Sequence, residues 1–369
     1  MGFKINKVKA DLCSYPPYVF LAERKFGKTT FWYNLVKEAW GDDAKGLLIS
    51  FGNEEGYHAL DGLQVDVAKK WNSPYDEETG LRGFAQIVDD IIENNEEYGI
   101  KGVCFDTLDT MVDVATDEVL RQHKIEKGMV CKSLNDAFGG YGRGVERLVS
   151  LIFEQEARLR DAGLAIFYLC HTKNKEKIDL KTGEKYEQIT NNLQSNIYTK
   201  IADAAQMVMV GLMERDITNG KIVDEQRKIY LRGTSEIDAG SRFPDDALPE
   251  KINLSAREFL DAFNEAVKMS MRKVGATDKD IAKMKADEEV KAKEKAAMAK
   301  KKEVEKKTTD ALEAKREEYI DFISSNLLKS DDNIKAEFRK IMGSTGCKNI
   351  KDVDMPIEAL AELAKLLEG

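Results

Sequence analysis

Residues 18–40 read YVFLAERKFGKTTFWYNLVKEAW, and the rest of the chain is best read outward from them. The stretch opens with an uncharged, strand-length run, Tyr18-Val19-Phe20-Leu21-Ala22. A polar loop follows, Glu23-Arg24-Lys25-Phe26-Gly27, and Lys28-Thr29-Thr30 then enters an amphipathic helical run that reaches Trp40. A strand, a loop closing on Gly-Lys-Thr, and a helix form the setting in which a chain can cradle phosphates. Backbone N–H groups and the N-terminus of the following helix supply the positive field. Gly27 lets the backbone approach the anion, Lys28 can reach the β- and γ-phosphates, and the Thr29 hydroxyl can ligate magnesium. The nucleotide-binding segment is therefore expected to be Ala22, Glu23, Arg24, Lys25, Phe26, Gly27, Lys28, Thr29 and Thr30, with ATP and Mg2+ as its ligands. Ala22 stands where the usual pattern has its first glycine, which is tolerable if that residue keeps a negative φ.

Further strand-length apolar runs lie at 46–51, 102–106, 164–170, 206–213 and 228–231, with amphipathic helical stretches at 81–98, 107–122 and 144–162. Continuous runs such as VCFD and LAIFYLC suit strands buried on both faces, so an α/β domain with a mostly parallel sheet is expected. Three strand ends then carry chemistry. Asp106 closes the run GVCFD and would hold magnesium, with Thr107 or Asp109 free to cap the helix that follows. Glu54, in FGNEEG after the run GLLISF, would polarise the attacking water, with Glu55 as the second choice. His171 closes LAIFYLCH and could sense the γ-phosphate beside Asp106.

Composition narrows the class. The chain has 369 residues, a net charge of −9 and 42% hydrophobic residues, enough for a core. No apolar run is long enough to span a membrane, and the N-terminal stretch lacks a hydrophobic signal core. Five cysteines without a CxxC spacing make a disulfide framework or structural zinc improbable, and a cytoplasmic setting is expected. The acidic balance argues against coating nucleic acid by bulk charge. Residues 264–318 differ from the rest, with 16 Lys/Arg against 13 Asp/Glu and no Phe or Trp. They read as a charged helical linker. The expected organisation is a core at 1–262, a linker at 263–318 and a small helical module at 319–369, where Tyr319, Phe322, Ile323, Leu360 and Leu363 recur at helical spacing.

The ordered set A-x4-GKTT, FGNEEG, VCFDT, GGYGRG, LCHTK and RKIYLRG…GSRF resembles the RecA-like ATPases of bacteriophages, the Sak-type branch of the AAA-domain phage nucleotide-binding proteins. The resemblance covers roughly residues 10–262. It implies a RecA-like P-loop (ASCE) core, ATP hydrolysis, single-stranded DNA binding and a part in phage recombination, often beside a single-strand binding protein. On that pattern Lys28 and Thr29 are the Walker A pair, Asp106 is the Walker B acid, Glu54 activates water, and His171 is the strand-end polar residue.

RecA-like enzymes place their sites between subunits of a homo-oligomer, a ring or a filament, with a basic finger supplied in trans. Lys228 and Arg232, together with Arg227 in RKIYLRG and Arg242 behind it, are the candidates for stabilising the transferring phosphoryl group. DNA contacts are expected from two loops. One spans 123–144, with Lys124, Lys127, Lys132 and GGYGRG; the other spans 173–200, with six lysines, Tyr186, Asn191, Asn192, Gln194, Asn196 and Tyr198. Lysines for phosphates and aromatics for stacking are what sequence-tolerant strand binding uses. A RecA-like motor or helicase loader, and a nucleotide-binding scaffold without turnover, are the alternatives.

Overall fold

A computed structural model of the chain describes residues 12–14, 16–52, 56–218, 221–273, 275, 297–298, 300–301, 304, 307–309, 311–327, 330–347, 349–352 and 354–368. The opening stretch forms strand β1 (Tyr18–Ala22) and helix α1 (Lys28–Trp40). The helix ends at Gly41, whose left-handed backbone lets its N–H donate to the Lys37 carbonyl at 2.9 Å. There follow β2 (Gly46–Phe51), β3 (Gln64–Ala68), α2 (Phe84–Tyr98), β4 (Gly102–Asp106), α3 (Leu108–Lys127) and α4 (Arg143–Asp161). The second half of the domain contains β5 (Ala165–Ile178), β6 (Lys185–Asn191), α5 (Ser195–Ala204), β7 (Met207–Thr218), β8 (Lys221–Tyr230), β9 (Gly240–Ser241), β10 (Lys251–Asn253) and α6 (Ala256–Lys273).

The strands order as β10-β8-β7-β1-β5-β4-β2-β3, with β6 on β5 and β9 on β7. From β7 across to β3 every pairing is parallel, and the antiparallel pairs involve β6, β8, β9 and β10. One strand, β5, separates β1 from β4, as a RecA-like P-loop core requires. Side chains alternate along β1. Tyr18, Phe20 and Ala22 pack in one layer with Phe31, Trp32 and Leu35 of α1 and Phe259 and Phe263 of α6. Val19 and Leu21 face the opposite layer, with Ile87 of α2, Met111 of α3 and Leu148 of α4. Burial on both faces is why this strand carries no alternating polar residues.

Three expectations change here. Helix α6 continues past residue 262 to Lys273 and buries Phe263, Ala266 and Val267, so the core extends into the stretch expected to be linker. Those residues share the face that Phe259 starts, and the apolar stripe carries the helix onward. Half of the expected linker, including all of 276–296, lies outside the described residues. The stretch 173–200 is a β-hairpin followed by a helix, with β5 and β6 in register from Thr172↔Asn191 to Ile178↔Lys185. Its strands are polar on both faces and so lack an apolar alternation in sequence. At the tip, the Asp179 carboxylate accepts from the Lys181 and Thr182 N–H groups, both at 2.8 Å. Finally, residues 123–127 belong to α3, so the first loop begins only at Gly128.

The chain divides into two compact units, Met1–Ala299 and Lys300–Gly369. In the second, residues 311–326 are helical, and helices Asp332–Thr345 and Ile357–Glu368 follow. Ile323, Phe338, Met355, Leu360 and Leu363 form its core. Arg316 donates to the Met355 carbonyl at 2.8 Å and to that of Asp352, so this unit is tied together by residues ahead of 319. Among the described residues no helix is long and apolar enough to cross a membrane.

Candidate active site

The loop between β1 and α1 has the backbone of an anion cradle. Lys25 and Gly27 have φ of 62° and 107°, while Arg24, Phe26 and Lys28 keep negative φ, so handedness alternates residue by residue. Such alternation turns successive N–H groups inward, and α1 adds the field of its N-terminus. Ala22 also keeps a negative φ inside β1, so the missing glycine costs the loop nothing sterically. The loop is anchored by Phe26, whose ring is buried against β7. A Cβ on Gly211 would stand 2.4 Å from that ring, so only glycine fits beneath it. Lys28 is buried and donates from Nζ to the carbonyls of Ala22 and Glu23, both at 3.0 Å. Its ammonium thus spans the mouth of the loop.

The two expected magnesium ligands meet. Thr29 Oγ1 donates to Asp106 Oδ2 at 2.9 Å, across 77 residues of sequence. Both offer hard oxygen donors, the kind magnesium takes, and they sit beside the phosphate cradle. Asp106 is not used as a helix cap. Thr107 caps α3 instead, in a reciprocal pair with Thr110. The Asp106–Thr107 peptide bond is cis.

His171 pairs in register with Ala22, and Leu169, two residues earlier on β5, lies level with Asp106. The sequence reading placed His171 at this edge but missed its partner. Asp109 Oδ2 accepts from the His171 backbone N–H at 2.9 Å and lies 3.2 Å from Nδ1. Burial pushes the Asp109 carboxyl up, and the His171 contacts outweigh it, leaving the group below the ordinary carboxylate range. Burial and the neighbouring Asp109 push the Cys170 thiol well up, which keeps it a thiol. The spacing Asp106-x-x-Asp109 was the only signal for this pair in the sequence.

Other candidates are spread more widely. Ser50 of β2 lies level with Asp106, but Glu54 and Glu55 are outside the described residues. Lys228 donates to Asn253 at 2.7 Å, and Arg232 donates to the Asp245 carbonyl at 3.2 Å. Arg242 bonds the Asp203 carbonyl. Arg227 is at the P-loop of its own chain, its Nη1 3.6 Å from where a Gly27 Cβ would stand. Of the expected DNA-contacting residues, Asn191 and Tyr198 are buried and so turned away from any strand. Tyr141 of GGYGRG is 99% exposed, held outward by a run of left-handed residues from Phe138 to Gly142. Leu180 at the hairpin tip is 100% exposed.

An alternating-handed phosphate cradle, a bonded Thr29–Asp106 pair and one strand between their parent strands define a P-loop nucleotide-binding α/β protein. The model of the AAA domain family matches residues 16–243, and the chain belongs to that family of P-loop ATPases. Among solved structures, the chain is similar to a KaiC-like protein from the hyperthermophilic archaeon Pyrococcus horikoshii OT3. The identity is 12%, over 61% of this chain and 83% of that one, with a TM-score of 0.32. No curated protein sequence matches the chain.

Proposed function

We propose that the protein is an oligomeric ATPase that binds single-stranded DNA and promotes annealing or strand exchange in bacteriophage recombination, with a single-strand binding protein as a partner. The observation that carries the nucleotide half is the Thr29–Asp106 hydrogen bond beside the cradle. In this reading Lys28 swings from the Ala22 and Glu23 carbonyls to the β- and γ-phosphates, exchanging two neutral acceptors for charged ones. Thr29 and Asp106 would hold magnesium, which neutralises charge on the phosphate oxygens when bound. Glu54 takes a proton from water as the water oxygen attacks the γ-phosphorus and the bond to the bridging oxygen breaks. His171, steadied by Asp109, responds to the loss of the γ-phosphate. Lys228 and Arg232 remain the candidates for a finger given to a neighbouring subunit.

The DNA half is supported by two exposed segments, the 128–142 loop between α3 and α4 and the β5–β6 hairpin, which runs on past His171. Tyr141 offers a ring for stacking, and the β5–β6 hairpin carries Lys173, Lys175, Lys177, Lys181 and Lys185. The acidity of the chain as a whole confines such binding to these segments and makes it salt-sensitive.

Phosphate release with and without DNA tests the reading. Turnover stimulated by single strands and not by duplex, and reduced at least ~100-fold by Lys28→Ala, is the expected result. Translocation on duplex would favour a motor, and no turnover at all would leave a nucleotide-binding scaffold.

A further inference from the structure

A groove of about 400 Å³ opens beside the P-loop, on the side of β1 away from β4. Its walls include Gly27, Thr30 and Asn34 from the loop and α1, and Arg227, Leu254 and Arg257 from the β8–β10–α6 edge. Strand order explains the meeting. Gly211 of β7 lies level with both Ala22 and Ile229, so Arg227, two residues before Ile229 on β8, rises just past the end of β1. Its backbone is pinned there, because its carbonyl accepts from the Leu254 N–H at 3.0 Å.

The side chain differs from the cations beside it on β7, β8, β10 and α6. Neighbouring cations are matched: Lys228 bonds Asn253, Lys251 bonds Glu214, Arg215 bonds Glu225 and Arg257 bonds Glu38. The Arg227 guanidinium has no hydrogen-bond or ion-pair partner among the described residues, yet its Nη1 is 3.6 Å from the Gly27 Cβ position. A guanidinium is permanently charged and carries five donors suited to phosphate oxygens. Held beside a loop whose alternating backbone handedness suits it to an anion, it adds a fixed positive charge to that site.

We propose that Arg227 binds the phosphates of the nucleotide held by its own chain's P-loop, and that the ribose and base of that nucleotide lie in the groove between α1 and Arg257. The proposal rests on the ATP-binding reading above and deepens it. Arg227 thereby leaves the set of trans fingers and becomes a cis ligand. The Arg257–Glu38 ion pair, at 3.2 Å, stands at the far end of the groove from Gly27 and Arg227.

Three measurements on the full chain test this. Titration of a fluorescent ATP analogue should show Arg227→Ala binding ~10- to 100-fold more weakly, the loss of one charge-assisted contact, with an unchanged melting temperature. Mixing Lys28→Ala and Arg227→Ala subunits separates cis from trans. A cis ligand leaves every chain defective and turnover no higher than the mean of the two variants. A trans ligand restores turnover wherever an intact P-loop meets an intact arginine, and that result overturns the proposal, as does wild-type affinity in Arg227→Ala. For the groove, Asn34→Trp should weaken the ATP analogue while leaving competition by inorganic triphosphate intact. Equal effects on both ligands, or no effect on either, overturn the placement of the nucleoside. Absence of analogue binding by the wild-type protein defeats the underlying ATP reading instead.

Discussion

The P-loop and the exposed segments at 128–142 and in the β5–β6 hairpin are built on opposite principles. The P-loop is internally bonded and anchored in the core, with buried Lys28 on two carbonyls, Thr29 on Asp106 and Phe26 set over Gly211. The DNA candidates, the 128–142 loop and the β5–β6 hairpin, present Tyr141 and Leu180 to solvent with almost no cover. On the proposed reading, the contrast follows from what each would bind. Phosphates need donors already fixed in place, because an anion repays desolvation only when it meets an organised field. A flexible single strand is held through stacking and charge, which tolerate variable geometry and need exposed groups.

The strongest way to break this comparison is to disturb the anchor of the P-loop without touching its ligating atoms. Gly211→Val drives a side chain into the Phe26 ring. It is expected to cost about 1–3 kcal/mol of stability by overpacking and to weaken a fluorescent ATP analogue more than ~10-fold. Thermal melting and titration read the two effects, and an unchanged affinity would show that the loop does not depend on Phe26.

The exposed region should behave in the reverse way. Tyr141→Ala is expected to reduce affinity for a fluorescent single-stranded oligonucleotide by ~10-fold, the loss of about one stacking contact, and Leu180→Ala by less, the loss of an apolar contact at the hairpin tip. Melting temperature and DNA-free turnover stay at wild-type values, since neither side chain packs on the core. A fall in melting temperature, with DNA affinity intact, would make these residues structural.

A smaller effect sharpens the account of the buried side. Glu156 of α4 is buried beneath β5 and accepts from the Tyr168 hydroxyl at 3.0 Å. Burial pushes its carboxyl up, against the Tyr168 bond and the nearby Arg160. An acid raised in the fold contributes fully below its unfolded value of about 4.3 and loses stability as pH rises through the folded value. Glu156→Gln keeps the acceptor and removes the charge. It should therefore raise the melting temperature at pH 8 by ~2–4 °C, a gain that vanishes below about pH 4. A lower melting temperature at pH 8 would mean that Arg160 holds the charge at a profit to the fold.

Much of the molecule was legible before any fold was in hand, and the reasons are local. Strands β1, β2 and β4 matched their apolar runs residue for residue, because burial on both faces leaves an unbroken run. Helix α1 matched to within a residue. Legibility failed where strands are solvated. The β5–β6 hairpin read as loop, because its polar residues give no alternation to follow. The end of α6 was assigned to the linker because composition, and not the spacing of Phe263, Ala266 and Val267, drew the boundary.

The sequence by itself marked the strand–loop–helix segment and the candidates Lys28 and Thr29, since a P-loop is a contiguous device written in neighbouring residues, and it marked Asp106 by the apolar strand that residue closes. Tertiary structure alone decided who meets whom across the sheet. Asp109 bonds His171 from 62 residues away, Gly211 gives Phe26 its seat, and Arg227 arrives at its own P-loop from the far edge strands. Those meetings follow from strand order and register, which bring distant segments level with one another and leave no mark in the local pattern.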